Sequence, residues 1–137
     1  MSFLLDTNVL SELRKGKRAN PDVVAWFAEV PEEELFLSVL IAGEIRQGIE
    51  RLRRRDLDTA ERLDRWLVTL LEDYADRILP LDLRIAELWG RLNAPDPLPA
   101  VDGLLAATAI AHDLTLVTRN GRDVARTGVS IVNPFND

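Results

Sequence analysis

Phe3-Leu4-Leu5-Asp6-Thr7-Asn8-Val9-Leu10 carries the signals that decide the fold. Phe3 to Leu5 is a short apolar run stopped by an acid, as expected of a buried strand. Thr7-Asn8 then supplies helix-starting chemistry, and Val9, Leu10 and Leu13 lie on one side of a helix that ends near Gly16. The unit is strand, turn, helix.

The same unit recurs along the chain. Pro21-Asp22 opens a short helix through Val23, Val24, Trp26 and Phe27. Leu35 to Ser38 reads as a second strand, followed without a break by a helix with Ile41, Ile45, Ile49 and Leu52 at helical spacing. A helix over Leu57 to Tyr74 has Leu63, Trp66, Leu67, Leu70 and Leu71 as its apolar face. Arg77 to Leu81 reads as a third strand, and Leu83 to Leu92 as a helix. The loop Asn93 to Pro99, with three prolines, is expected to be the most mobile segment. Ala100 to His112 is an alanine-rich helix, Thr115 to Thr118 a fourth strand and Val129 to Val132 a last short one. Strands alternating with helices predict an α/β fold: a mainly parallel sheet of four to five strands, covered on both faces as a three-layer α/β/α sandwich. In such sheets the site lies beyond the carboxyl ends of the strands, which selects Asp6, Ser38 and the segment Thr118 to Asn120.

Bulk properties narrow the function. With 137 residues, 47% hydrophobic and 29% charged, the chain is expected to form one domain over 1–137 with ample core material. It has no cysteine, which removes disulfides, thiolate zinc sites and cysteine nucleophiles and suits a cytoplasmic protein. The only early apolar run is cut by Asp6 far below membrane-spanning length, so no membrane association is expected. A net charge of -6 disfavours broad, non-specific nucleic-acid binding, so any polyanion must be met by local basic patches. Arg14, Lys15, Lys17 and Arg18 form one candidate; Arg51, Arg53, Arg54 and Arg55 form another. Both also read as solvated helix ends.

Three acids stand out, each with an ordinary alternative. Asp6 tops an apolar strand, where a carboxylate is costly unless it caps, pairs or binds a cation. Capping the Thr7 to Arg14 helix would account for it too, and both roles can coexist. Glu44 lies mid-helix beside Leu40, Ile41 and Gly48, on the margin of the apolar stripe; pairing with Arg46 or Gln47 is the alternative. Asp102 opens the alanine-rich helix, where the helix dipole alone favours an anion, yet it projects onto the face of Leu105, Ala106 and Ala109. After the fourth strand, Thr118-Arg119-Asn120-Gly121-Arg122-Asp123 offers a further polar position, with Asn120-Gly121 also a turn signal. His112, the only histidine, reads as a helix C-cap.

Leu5-Asp6-Thr7-Asn8-Val9, Glu44 in the helix after a strand, Ala100-Val101-Asp102-Gly103 and Thr118-Arg119-Asn120, in this order and at these spacings, resemble the PIN domain. The resemblance is to VapC-type toxins of bacterial toxin–antitoxin pairs, their FitB-like branch in particular. It covers the chain and includes the ending Ile131-Val132-Asn133-Pro134-Phe135. It implies a metal-dependent endoribonuclease using Mg²⁺ or Mn²⁺, dimeric, acting on RNA and inhibited by a cognate VapB-like antitoxin. Asp6, Glu44 and Asp102 match the family's three principal acids and its metal ligands. Asn120 and Asp123 are the two candidates for the fourth position, because relatives differ in which they use. Thr7, Asn8, Ser38 and Thr118 are expected to hold the acids or a phosphate oxygen in place. An all-oxygen donor set without Cys or a His cluster suits Mg²⁺ or Mn²⁺ better than zinc.

Two rival readings remain at this stage. A haloacid-dehalogenase-type phosphotransferase also begins with an acid after the first strand, but needs a second acid two residues later, where Asn8 stands. A non-catalytic PIN-like module that only binds RNA or protein would not need all three acids.

Overall fold

The computed structural model describes residues 1–137. Its elements are β1 (Phe3–Leu5), α1 (Thr7–Leu13), α2 (Pro21–Glu29), β2 (Leu35–Ser38), α3 (Val39–Arg53), α4 (Leu57–Asp73), β3 (Ile78–Leu79), α5 (Leu83–Asn93), α6 (Ala100–Ala111), β4 (Thr115–Val117), α7 (Gly121–Val124) and β5 (Ile131–Val132). The strands form one five-stranded sheet in the order β3-β2-β1-β4-β5. Every pairing is parallel. The three-layer α/β/α architecture expected from the sequence is the one observed.

The burial of β1 explains why the sheet is covered on both faces. Successive strand residues point to opposite faces, and Leu4 and Leu5 are both 0% exposed. Leu4 and Leu5 join Leu35, Leu37, Leu116 and Val117 from the neighbouring strands in a core of 23 buried residues. The helices fall into two packed groups, α1 with α2 and α3 and α3 with α4, then α5 with α6 and α6 with α7. Ile41, Ile45 and Ile49 of α3 supply one side of the core, and Leu105, Ala106 and Ala109 of α6 supply the other. α6 is buried nearly all round, from Gly103 to Ala109, because its small residues let it lie between β4 and α5.

The differences from the expected elements have local causes. The third strand is shorter than Arg77 to Leu81. Arg77 belongs to a 3-10 turn over Ala75–Arg77, and its buried guanidinium donates to the carbonyls of Glu32, Leu35 and Asp73 at 2.6, 2.8 and 2.9 Å. Those bonds tie the end of α4 to the entry of β2, and Pro80 removes the donor that would have extended the ladder. The final strand shrinks to Ile131–Val132, and Asp123 lies on a short helix, α7. Within the loop Asn93 to Pro99, Asn93 Oδ1 accepts from the Leu98 N–H at 2.6 Å. No helix is long and apolar enough to cross a membrane.

Leu4 has no exposed surface, so Leu4→Ala leaves a cavity at the sheet centre. It should destabilise the protein by about 2–5 kcal/mol in urea unfolding. A loss below about 1 kcal/mol would show that the two helical layers can close over the gap.

Candidate active site

The strand order reverses about β1: β2 and β3 lie to one side, β4 and β5 to the other. In parallel sheets the loops leaving the strands diverge at that switch point and open a crevice beyond the carboxyl ends. Here the residues leaving the two central strands are Asp6, after β1, and Thr118, after β4. They meet directly: Thr118 Oγ1 donates to Asp6 Oδ2 at 2.7 Å. The Asp6 N–H extends the ladder by donating to the Val117 carbonyl at 3.0 Å.

Asp6 is 8% exposed, and its carboxylate is held from several directions. Oδ1 accepts from the Thr7 N–H at 2.7 Å, which makes Asp6 the N-cap of α1. Asn8 Nδ2 approaches Oδ2 at 3.4 Å and Thr118 Oγ1 at 3.3 Å, while Asn8 Oδ1 accepts from the Arg119 N–H at 3.2 Å. That last bond fixes the orientation of the Asn8 amide, because a backbone N–H can only donate. Thr118 Oγ1 also accepts from the Asn120 N–H at 3.0 Å. Asp6, Asn8 and Thr118 thus form one buried lattice, in which the capping and functional alternatives for Asp6 are compatible. Thr118, expected only as a support, is its hub. A threonine ending an apolar run looks like any strand residue, so the sequence gives little sign of this.

Glu44, on α3, and Asp102, on α6, approach Asp6 separately: Glu44 through their shared partner Thr7, and Asp102 across the pit that it lines with Asp6. Ser38 caps α3 by accepting from the Leu40 N–H at 3.1 Å, so its hydroxyl positions the helix that carries Glu44 and is committed there. Glu44 Oε1 accepts from Thr7 Oγ1 at 2.8 Å, which ties α3 to the residue after Asp6. Neither Arg46 nor Gln47 pairs with it: Arg46 turns to Glu50 and Asp64. Asp102 sits in the first turn of α6 and lines a pit with Asp6, Leu105, Leu116, Thr118, Asn120 and Val124. The approach of α6 to α5 depends on Gly103, where a Cβ would come within 2.9 Å of Asn93 Nδ2 and 3.1 Å of the Trp89 ring. Trp89 Nε1 is buried there without a hydrogen-bond partner. This packing, invisible to a search for polar motifs, sets where Asp102 stands.

Electrostatics links the three acids. Partial burial pushes the Glu44 carboxyl above its ordinary range; the Thr7 bond opposes this, and the charges of Asp6 and Asp102 add to the rise. Asp102 is raised first by partial burial, then by Asp6 and Asp123. Asp6, Glu44 and Asp102 therefore lie within one another's fields. The fourth position divides between two residues. Asn120 lines the pit with Asp6 and Asp102, whereas Asp123 acts on Asp102 through its charge and lines the adjoining concavity.

An all-oxygen donor set with mutually repelling charge suits a hard divalent cation. No three acids stand close enough together to form a closed ligand cage. Open spacing is compatible with Mg²⁺, which takes one or two carboxylates and retains its waters. The apolar cleft of about 410 Å³ between α1, α2 and α4 contains none of these acids. Of the two expected basic patches, Lys15 is paired with Glu12, and Arg53 with Glu50, Glu61 and Asp64.

The raised carboxyls have a consequence for stability. A carboxyl whose pKa is higher folded than unfolded binds more protons in the folded state. Stability then falls as pH rises from the ordinary carboxylate range through the raised value. At pH 7 in EDTA the cost is fully present, so Glu44→Gln and Asp102→Asn should each raise the Tm by roughly 1–5 °C. The gain should shrink as pH is lowered towards about 4. Asp6→Asn should bring no such gain, because an amide disturbs a carboxylate that accepts from Thr7 and Thr118. Thermal melts across pH check this; an unchanged Tm for both Glu44→Gln and Asp102→Asn would contradict the repulsive cluster.

Comparison with known proteins agrees with this arrangement. Residues 3–129 match the model of the PIN domain. The chain is 33% identical to Toxin FitB of Neisseria gonorrhoeae, over 98% of this chain and 99% of that one. It is 34% identical to VapC ribonuclease Y4jK of Sinorhizobium fredii, over 97% of each. Among solved structures, FitAcB from Neisseria gonorrhoeae superposes with a TM-score of 0.89 at 32% identity, covering 98% of this chain and 99% of that one. A toxin–antitoxin complex from Klebsiella pneumoniae gives a TM-score of 0.72 at 26% identity, covering 99% and 100%. With the match spanning nearly the whole sheet and all three acids, the chain belongs to the PIN-domain family.

Proposed function

We propose that this chain is a divalent-cation-dependent endoribonuclease, the toxin of a bacterial toxin–antitoxin pair, formed by one PIN domain over residues 1–137. The observation that carries the proposal is the gathering of three acids at the switch point of the sheet: Thr7 bonds both Asp6 and Glu44, and Asp6 and Asp102 line one pit. Three like charges in one crevice cost stability unless something positive uses them.

Asp6 and Asp102 would hold the cation, and Glu44 would contribute a ligand or orient the attacking water. A bound Mg²⁺ or Mn²⁺ supplies a lowered pKa for an attacking water and charge stabilisation at the scissile phosphate. The chain's own contribution is orientation and proton handling. Asp6 is locked by Thr7, Asn8 and Thr118 and cannot swing away. Glu44 gives Oε1 to Thr7 and keeps Oε2 without a partner in the chain. That oxygen, on a carboxyl whose proton affinity burial has raised, is suited to take a proton from water. Asn120 stands at the pit with an uncommitted amide that can donate to a phosphate oxygen.

The relatives bear on partners. Solved relatives are described as FitAcB and as a toxin–antitoxin complex, which supports a VapB-like antitoxin partner for this chain. An acidic crevice on a protein of net charge -6 favours an arginine-bearing segment of that antitoxin, pairing with the carboxylates that the cation needs. A homodimer and a cytoplasmic setting complete the proposal. The phosphotransferase alternative finds no support, because Asn8 is committed to Asp6, Thr118 and Arg119.

Cleavage of an RNA panel with Mg²⁺, Mn²⁺ or EDTA is the test. Wild type should cut with either cation and not with EDTA. Asp6→Asn, Glu44→Gln and Asp102→Asn should each lose about 100-fold or more in rate while keeping the wild-type circular dichroism spectrum. Full metal-dependent activity in any one variant would remove that residue from the site. Activity in EDTA would overturn the cation, and a wild type that binds RNA without cutting it would indicate a binding module.

A further inference from the structure

Beside the acid pit lies a concavity of about 560 Å³ lined by Arg119, Asn120, Gly121, Arg122, Asp123, Asn133 and Asp137, with no hydrophobic residue among them. Asn120 lines both this concavity and the pit that holds Asp6 and Asp102. The concavity and the acid pit are therefore neighbours with Asn120 between them, close enough for one extended strand to touch both.

Arg119 is built for an oxyanion. Its backbone is fixed by the N–H bond to Asn8, which itself contacts Asp6 and Thr118. Its guanidinium lies 4.5 Å from the centre of the buried Phe135 ring, so an aromatic face sets its position. The Nε and Nη2 edge meets Asp137 Oδ2 at 2.8 and 2.7 Å. This is the donor edge of arginine that recognises carboxylates and phosphates alike. The pairing is an exposed one, with Arg119 at 53% and Asp137 at 45% exposure, so solvent weakens it and a competing anion can replace it. Asp137 is further held by Asn133, whose Nδ2 donates to Asp137 Oδ1 at 2.8 Å.

We infer that Arg119 binds a phosphodiester of the single-stranded RNA substrate next to the cleaved one, and that the Asp137 carboxylate occupies this subsite until RNA displaces it. The inference rests on the nuclease reading for the identity of the ligand, but its test does not use cleavage. Arg122, exposed at the rim of the same concavity, adds charge to the path, while Asp123 acts toward Asp102. This arrangement offers a chain of net charge -6 a local way to hold a polyanion: a guanidinium near the acid pit whose own carboxylate partner a phosphate can replace.

The test is fluorescence anisotropy with a labelled single-stranded RNA decamer in EDTA at low salt, the RNA checked for integrity on a gel. Arg119→Gln should weaken binding roughly five- to tenfold and lower the salt-dependence slope by about 0.7–1. Asp137→Asn, which breaks the same ion pair from the other side, should tighten binding about two- to fivefold at low salt. A purely structural clamp gives the opposite pattern, since both variants would then lose the same contact and shift binding in the same direction. Equal shifts, no shift in Arg119→Gln, or a wild type that does not bind the decamer would each overturn the inference. Competition by inorganic phosphate as effective as RNA at equal phosphate concentration would make this a free-phosphate site. Competition by poly-glutamate as effective as RNA would make it a site for an acidic protein segment, and either result overturns the RNA assignment. Failure of the nuclease reading looks different: RNA binding keeps its response to Arg119→Gln and Asp137→Asn, but no cation restores cleavage.

Discussion

The hydrogen bond from Thr118 Oγ1 to Asp6 Oδ2, 2.7 Å long, joins the exits of β1 and β4 at the point where the sheet changes direction. Most of what surrounds the site is arranged around it. A buried carboxylate must be satisfied, and the same Asp6 side chain caps α1, meets Asn8 and accepts from Thr118. Thr118 in turn receives the Asn120 N–H, which sets the start of the turn into α7. One polar lattice therefore fixes the strand ends, the first helix and the loop that carries Arg119.

The two other acids enter through helices that packing holds in place. α3 is anchored by Ile41, Ile45 and Ile49 and capped by Ser38, and it brings Glu44 to Thr7. α6 is pressed against α5 through Gly103 and presents Asp102 at the pit. Neither Glu44 nor Asp102 gains stability from its position, since partial burial and neighbouring charge both favour the neutral form. A core buried on both faces of the sheet tolerates that cost, and the crevice retains a charge arrangement that chemistry can use.

Much of this was legible in the sequence because the signals were local. Phe3-Leu4-Leu5-Asp6 announces a buried strand ending in an acid, and the isoleucines of α3 place Glu44 beside the stripe. What stayed hidden was set by contacts between distant residues. Arg77 looks like the start of a strand until its bonds to Glu32, Leu35 and Asp73 are seen. The indole of Trp89 and the amide of Asn93 bear on Asp102 only through the missing Cβ of Gly103. Arg119 and Asp137 are far apart in sequence, and only the fold brings them together over Phe135. In the charge run Arg51 to Arg55, Arg53 is spent on Glu50, Glu61 and Asp64, whereas Arg51, Arg54 and Arg55 form no salt bridge.

The central claim is that the Asp6 lattice and the two flanking acids form one cation site. The most direct measurement is an anomalous difference map from crystals grown with Mn²⁺. The account expects a peak against the Asp6 and Asp102 carboxylates, in reach of Glu44, and its loss in Asp6→Asn crystals grown the same way. A peak that persists in Asp6→Asn, or Mn²⁺ ordered only away from these three acids, would contradict it.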